Sequence, residues 1–182
     1  MLIENMKLKD VTEEHLKIIF KWRNEKSIRE VMYNSDQILW ENHLEWFQSI
    51  LKNSRKYQKI FYYNEIPYGI ANFTLNDCEA SVGEWGFYIG ERKAPKGLGT
   101  GLAYKMLEFL FEDLKIRKIC AEVIDFNERS IYFHKKVGFK QEGILRKQIL
   151  KNNEYRDIHL FGYFSEDWGK NKEILEENLI TK

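Results

Sequence analysis

The sequence predicts a single α/β (α+β) domain built on a mixed sheet, and three observations predict it. Apolar strand patterns stand on both sides of one β-α-β unit, so strands paired in sequence must flank a parallel pair. The 182 residues, 43% hydrophobic and 15% aromatic, can bury one sizeable core and would be cramped as two domains. No internal repeat, low-complexity tract or Pro/Ser-rich linker divides the chain.

The first element is a short strand around LIENMKLKD. A helix follows with Thr12 as its N-cap, because Leu16, Ile19, Phe20 and Arg23 recur at helical spacing. After VMYNSD the spacing predicts a second helix over about residues 39–52, with Trp40, His43, Leu44, Phe47 and Leu51 on one face. YQKIFYY and YGIANFTL read as strands joined by NEIP, and SVGEWGFYIG as a strand feeding a glycine-rich turn. A third helix carries Leu102, Met106, Leu110 and Leu114 on one stripe. The strand KICAEVI then precedes a short helix, NERSIYFHKKVGF, with Gly138 in the C′ position. Two strands around KNNE and a tail helix from Ser165, holding Trp168, complete the chain.

Charge and cysteine content narrow the partners. Lys and Arg total 29 against 28 acids, so no bulk field recommends nucleic acid or an anionic membrane. Any anion site must be local. Cys78 and Cys120 lie far apart without metal-ligand spacing, and MLIENMKLKD has no long apolar run. A reduced, cytoplasmic protein without a metal is expected. No apolar stretch approaches the ~20 residues that a membrane helix requires.

The stretch RKAPKGLGTGLAYKMLEF places Gly97, Gly99 and Gly101 where a strand gives way to a helix. Glycines there admit close backbone approach, and a helix N-terminus offers free N–H groups to a phosphate. A merely tight turn is the plain alternative. The P-loop pattern fails, because no Lys and hydroxyl follow the last glycine. The dinucleotide pattern G-x-G-x-x-G meets Leu102 at its third position, although Glu122 stands where a ribose-binding acid would. Only one strand-helix-strand remains after Gly101, too little for that fold.

A-P-K-G-L-G-T-G after a strand, followed about 25 residues later by NERSIYFHKKVGF, resembles the two signature motifs of the GNAT superfamily of N-acetyltransferases. The resemblance implies a twisted, mostly antiparallel mixed sheet of about seven strands with helices on both faces. It implies acetyl-CoA as co-substrate, with the backbone of Gly97, Leu98, Gly99, Thr100 and Gly101 on the pyrophosphate. Ala94 occupies the motif's Gln/Arg position, and Lys96 is the nearest compensating cation. Asn127, Ser130, Phe133, Lys136, Gly138 and Phe139 match the second motif, with the face of Asn127 implied to line the pantetheine arm. Main-chain groups around Phe87, Tyr88 and Ile89 are implied to pair with that arm as another strand would. One domain over 1–182 is expected, with acceptor helices at about 12–52, an acetyl-CoA core at about 57–164 and a closing helix at about 165–180.

His134 replaces the Tyr that the family uses to protonate the departing thiolate, a job it can do only as an imidazolium. A surface histidine, with water as donor, is the alternative. The acceptor amine must itself lose a proton before it attacks. Glu122, an acid inside the apolar strand KICAEVI, is the expected base if burial raises its pKa. The alternative is a carboxylate paired to Arg117 or Lys118.

In the N-terminal third, Arg23 and His43 interrupt apolar stripes. A snorkelling arginine and a core histidine bonded to a carbonyl would explain each singly. The segment WRNEKSIREVMYNSDQILWENHLEWF also resembles the UDP-4-amino-sugar N-acetyltransferases of the pseudaminic acid pathway. Trp22, Arg23, Asn24, Met32, Tyr33, His43 and Trp46 match that pattern. The resemblance implies that Arg23, Met32, Tyr33, His43 and Trp46 line a pocket for a UDP-linked amino sugar; a homodimer is left open. An arginine fork suits a diphosphate, and an aromatic face suits a uracil or a deoxysugar methyl group. Acetylation of a protein N-terminus or a polyamine is the alternative enzyme reading. An acyl-CoA sensor without catalysis is the non-enzyme one.

Overall fold

The computed structural model describes residues 2–180, so Met1, Thr181 and Lys182, the ends of the expected span, lie outside the described residues. Seven strands form one sheet: β1 (Met6–Asp10), β2 (Lys56–Tyr63), β3 (Ile66–Asp77), β4 (Val82–Ile89), β5 (Lys118–Ile124), β6 (Lys140–Lys151) and β7 (Glu154–Phe164). Their order is β1-β2-β3-β4-β5-β7-β6, and every neighbouring pair is antiparallel except β4 and β5. The hairpins turn on consecutive residues with positive φ, Asn64 and Glu65 between β2 and β3, and Asn152 and Asn153 between β6 and β7. That geometry matches the right-handed twist of the flanking strands.

The sheet carries an apolar core on each face. In β2, Ile60 and Phe61 are both fully buried and point to opposite sides, as strand alternation requires. Phe61, Phe73, Trp85, Ile119 and Phe161 join Leu102, Met106 and Leu110 of the helix α4 (Leu98–Glu108) and its extension. The same core takes in Trp168 and Leu175 of α6 (Ser165–Ile180). On the other face Ile60 and Ile70 meet Leu16, Ile19 and Trp22 of α1 (Leu16–Asn24) and Phe47 of α3 (Trp40–Leu51). Trp22 packs on Gly90, where a Cβ would fall 2.2 Å from the indole. Its truncation to Ala would cost roughly 3 to 5 kcal/mol. That contact sets α1, and with it Arg23, against the end of β4.

Several elements depart from expectation. Ile3–Asn5 form a 3₁₀ turn, so the first strand begins only at Met6. Thr12 caps a short 3₁₀ turn, with its N–H on His15 Nδ1 at 2.9 Å, and α1 continues from that turn. A one-turn helix, α2 (Lys26–Arg29), stands within the segment expected to be a connection. On α3, Leu44 and Leu51 face solvent while Trp40, His43 and Phe47 face inward. α4 passes into a π-helical turn at Phe109–Asp113, which shifts the helical register, so Leu114 is only half-buried. No helix among the described residues is long and apolar enough to cross a membrane.

Candidate active site

The parallel pair β4 and β5 is short, because only Val82, Gly83 and Glu84 face Lys118, Ile119 and Cys120. Beyond that point β4 follows β3 as far as Ile89, and β5 follows β7 as far as Ile124. The strands therefore part, and a cavity of about 610 Å³ passes through the sheet. Trp85, Phe87 and Val123 line it from one face, and Glu84, Tyr88 and Glu122 from the other. The β5-facing edge of β4 from Gly86 to Ile89 has no strand partner among the described residues. An extended ligand arm can pair there, where Phe87, Tyr88 and Ile89 were expected to act.

The three glycines of the turn do different things. Gly97 is the residue before α4 and has φ +96°, a left-handed conformation that favours glycine. At Gly99 a Cβ would meet only Phe133 and Ile89, at 3.8 and 3.9 Å, so the space above it lies where α4, α5 (Glu128–Val137) and the end of β4 converge. Gly101 belongs to the core instead, which corrects the expectation for it. Its N–H is bonded to the Gly97 carbonyl at 3.0 Å, and a Cβ would lie 2.7 Å from Met6 Sδ. Helix geometry leaves the N–H groups of Gly97, Gly99 and Thr100 without an i−4 partner, and that of Leu98 leans on the Pro95 carbonyl at 3.4 Å. The Leu98 side chain is fully buried. Ala94 packs against the core and Lys96 is exposed.

Asn127 caps α5, its Oδ1 accepting from the Ser130 N–H at 3.2 Å, so half of its amide has a structural task. Phe133 packs on Phe87 with ring centroids 5.1 Å apart, which joins α5 to β4 over the cavity. His134 is 5% exposed. Its Nδ1 donates to the Ser130 carbonyl at 2.8 Å, and its Nε2 accepts from the Trp85 indole at 3.2 Å. A carbonyl only accepts and an indole only donates, so the ring is the neutral Nδ1–H tautomer. Burial lowers its pKa to about 4 despite the Ser130 carbonyl. The expected imidazolium donor is thereby overturned: His134 lines the cavity as a neutral ring stacked on Phe161.

Glu122 is exposed at the cavity, so the expected burial of this acid is also wrong. Its carboxylate accepts from the Tyr33 hydroxyl, while Lys118 pairs with Glu142 and Arg117 with the Ala80 carbonyl. The alternative pairing to a basic neighbour therefore fails as well. Glu84 on β4 is exposed as a residue too, but its carboxyl is partly withdrawn from water, and that loss of hydration, then the nearby charge of Glu122, raises its pKa. Glu84 stands opposite Cys120 in the register, so Glu84 and Glu122 share one face of the sheet beside the fork.

On the acceptor side Arg23, Met32, Tyr33, His43 and Trp46 all border the same cavity. His43 is buried, stacks on Trp46 at 5.0 Å and hydrogen-bonds the Leu16 carbonyl through Nε2 at 2.9 Å. It is thus a core histidine bonded to a carbonyl, with its pKa lowered by burial. Arg23 differs. Its Nη2 donates to the Asn34 carbonyl at 3.0 Å, but its Nη1 is buried without a hydrogen-bond partner among the described residues. Among the cavity-wall residues that sequence reasoning missed are Glu84, Trp85, Gln58, Asn72 and Thr74. Period-two alternation was the available signal, since Asn72 and Thr74 bracket the core residue Phe73, as Glu84 and Gly86 bracket Trp85. Among the described residues no three His, Cys, Asp or Glu side chains gather as metal ligands would.

Comparison with known proteins gives concordant results. The family described as Acetyltransferase (GNAT) domain matches residues 8–160. The chain is 30% identical over 175 residues to the SPbeta prophage-derived uncharacterized N-acetyltransferase YokL of Bacillus subtilis, covering 92% of this chain and 94% of that one. It is 28% identical over 140 residues to the acetyltransferase PseH of Campylobacter jejuni, covering 74% and 84% respectively. A spermidine N-acetyltransferase from Vibrio cholerae, solved with CoA and spermine, superposes with a TM-score of 0.84 over 91% of this chain and 98% of that one. Its 16% identity shows a shared fold.

Proposed function

Because the chain belongs to the GNAT acetyltransferase family and is an acetyl-CoA-dependent N-acetyltransferase, we propose that its acceptor is a small amine that also carries an anionic group, a UDP-linked 4-amino sugar. One observation carries the choice. The wall of one cavity holds both a guanidinium nitrogen of Arg23 that is buried without a hydrogen-bond partner among the described residues and two carboxylates, Glu84 and Glu122. Buried donors are satisfied in folded proteins, so Arg23 Nη1 calls for an acceptor atom, and a diphosphate offers several. The acids suit the ammonium end of the same molecule. The loop pattern from Trp22 to Trp46 supports the nucleotide-sugar assignment by its resemblance to that branch.

The residues present fit acetyl-CoA. The free N–H groups of Gly97, Gly99 and Thr100 at the start of α4 would hold the pyrophosphate, with Lys96 as the adjacent cation. The open edge of β4 from Gly86 to Ile89 would hold the pantetheine arm, with Asn127 in the cavity wall and Phe133 packed on Phe87. Bound there, acetyl-CoA supplies an activated acetyl group as a thioester. Main-chain N–H groups of β4 polarise its carbonyl. Glu84 takes a proton from the acceptor ammonium, a task suited to a carboxyl held above its ordinary range, while Glu122 holds that ammonium at the fork. Water in the cavity relays to the leaving thiolate the second proton, which the nitrogen sheds as the amide forms, since His134 has no free ring nitrogen.

A second reading has its own observation: the Glu84 and Glu122 pair would also receive a polyamine. Calorimetric titration with UDP distinguishes the two. The parent protein should bind UDP, and Arg23→Ala should weaken it by about 1.5 to 3 kcal/mol, roughly tenfold to over a hundredfold. Acetyl-CoA affinity should not change. No UDP binding by the parent, together with spermidine binding, would replace the nucleotide sugar by the polyamine.

A further inference from the structure

Lys151 ends β6 and is 6% exposed as a residue, with its ammonium part-buried. Such a charge is costly unless it is held by a partner. No carboxylate lies within ion-pair distance of it among the described residues, and its Nζ donates to the carbonyl of Met32, 119 residues away. The nearby charges are mixed: Arg23 disfavours the ammonium, Asp36 and Glu30 favour it, and loss of water outweighs them to lower its pKa. The ring of Phe126 lies 5.9 Å from the nitrogen. The ammonium is committed to the Met32 carbonyl, a contact that a methionine at this position could not make.

Its partner lies in the segment that borders the acceptor cavity. Residues 32–38 have no regular structure and are held from outside. Asn24 bonds both the N–H and the carbonyl of Ile38, at 2.9 and 3.1 Å. Arg29 donates to the Ser35 carbonyl at 2.6 Å, and Arg23 to the Asn34 carbonyl at 3.0 Å. These grips fix the far half of the segment. Lys151 holds the near half at Met32, and the next residue, Tyr33, half-exposed, reaches Glu122 across the mouth of the cavity.

We propose that Lys151 is a positioning residue for the acceptor: by fixing the Met32 carbonyl it aims the Tyr33 hydroxyl at Glu122 and keeps that carboxylate in place for the incoming amine. This rests on the reading that Tyr33 and Glu122 belong to the acceptor site. The hairpin of β6 and β7 thus acts on the reaction without touching a reactant.

The test compares Lys151→Met and Lys151→Arg, each with and without Tyr33→Phe, by hydrogen–deuterium exchange and steady-state kinetics. Lys151→Met should raise deuterium uptake in residues 31–38 and leave that of α4 unchanged. It should raise the KM for the UDP-amino sugar roughly tenfold while the KM for acetyl-CoA stays put. Lys151→Arg should restore both readouts, and in the Tyr33→Phe background Lys151→Met should cost nothing further. Unchanged uptake in residues 31–38, or an equal kinetic loss with and without the Tyr33 hydroxyl, overturns the proposal. Exchange needs no acceptor, so it decides the role of Lys151 even if the parent turns over no UDP-amino sugar, a failure that would strike the acceptor assignment alone.

Discussion

The indole N–H of Trp85 donates to Nε2 of His134 at 3.2 Å, tying β4 to α5 directly beside the cavity. With Nδ1 committed to the Ser130 carbonyl, the imidazole is a neutral strut between the two elements that would flank the acetyl group. Its sequence position suggests a proton donor, but its packing makes it part of the wall.

The first prediction concerns stability and pH. Burial depresses the folded pKa of His134 to about 4, against an ordinary value of 6.5. The stabilisation is therefore full above pH 6.5 and is lost as pH falls toward 4, because the unfolded chain takes up the proton first. The loss amounts to roughly 3 kcal/mol. Urea unfolding of the parent and of His134→Phe at pH 7 and pH 4 should show their difference in stability shrinking by about that amount. The same difference at both pH values would mean that the ring is not held neutral.

Glu84 and Glu122 should separate kinetically. Glu84→Gln should lower kcat by roughly 10²-fold near neutrality, with partial recovery at high pH where the amine is already neutral. It should also remove a rising limb of the kcat/KM profile. That limb lies above the ordinary carboxylate range, because a raised pKa keeps Glu84 protonated, and inactive as a base, to higher pH. Glu122→Gln should instead act mainly on the acceptor KM. A profile that keeps its rising limb in Glu84→Gln would return the role of base to Glu122 or to water.

How much of this was legible follows from the kind of signal each feature leaves. The glycine turn, Gly138 after α5 and the alternation in β5 are local patterns, and the fold repeats them. Glu122 misled because alternation shows which face a residue takes but not whether anything covers that face, and here the face opens onto the cavity. His134 misled because its state depends on burial and on Trp85, 49 residues away, besides the Ser130 carbonyl one turn back, and no spacing rule joins it to Trp85. The π-helical turn after α4 is invisible in a helical stripe, since Leu110 stays buried while Leu114 drifts off the face. Lys151 lies in a strand that is otherwise largely exposed, so nothing local marks it as buried.

Gly97 and Gly99 should respond oppositely. Gly97→Ala forces a side chain into a left-handed backbone and should cost about 1 to 2 kcal/mol of stability, read as a lower Tm. The Cβ added by Gly99→Val meets only ordinary contacts, so the fold should survive while the branched side chain blocks approach to the free N–H groups. Its thermal stabilisation by acetyl-CoA should then vanish. Stabilisation equal to that of the parent would place the pyrophosphate elsewhere.

Acetylation of an amine that also bears an anion is the reaction we propose for this GNAT enzyme, because one cavity wall carries both the buried Arg23 nitrogen that has no partner among the described residues and the carboxylates of Glu84 and Glu122. The most direct measurement is thiol release from acetyl-CoA with three acceptors in parallel: a UDP-4-amino-4,6-dideoxy sugar, spermidine and a peptide with an N-terminal alanine. The account predicts the highest kcat/KM for the nucleotide sugar, by at least about tenfold, the worth of one charge-assisted contact. A higher kcat/KM for spermidine or for the peptide would contradict it.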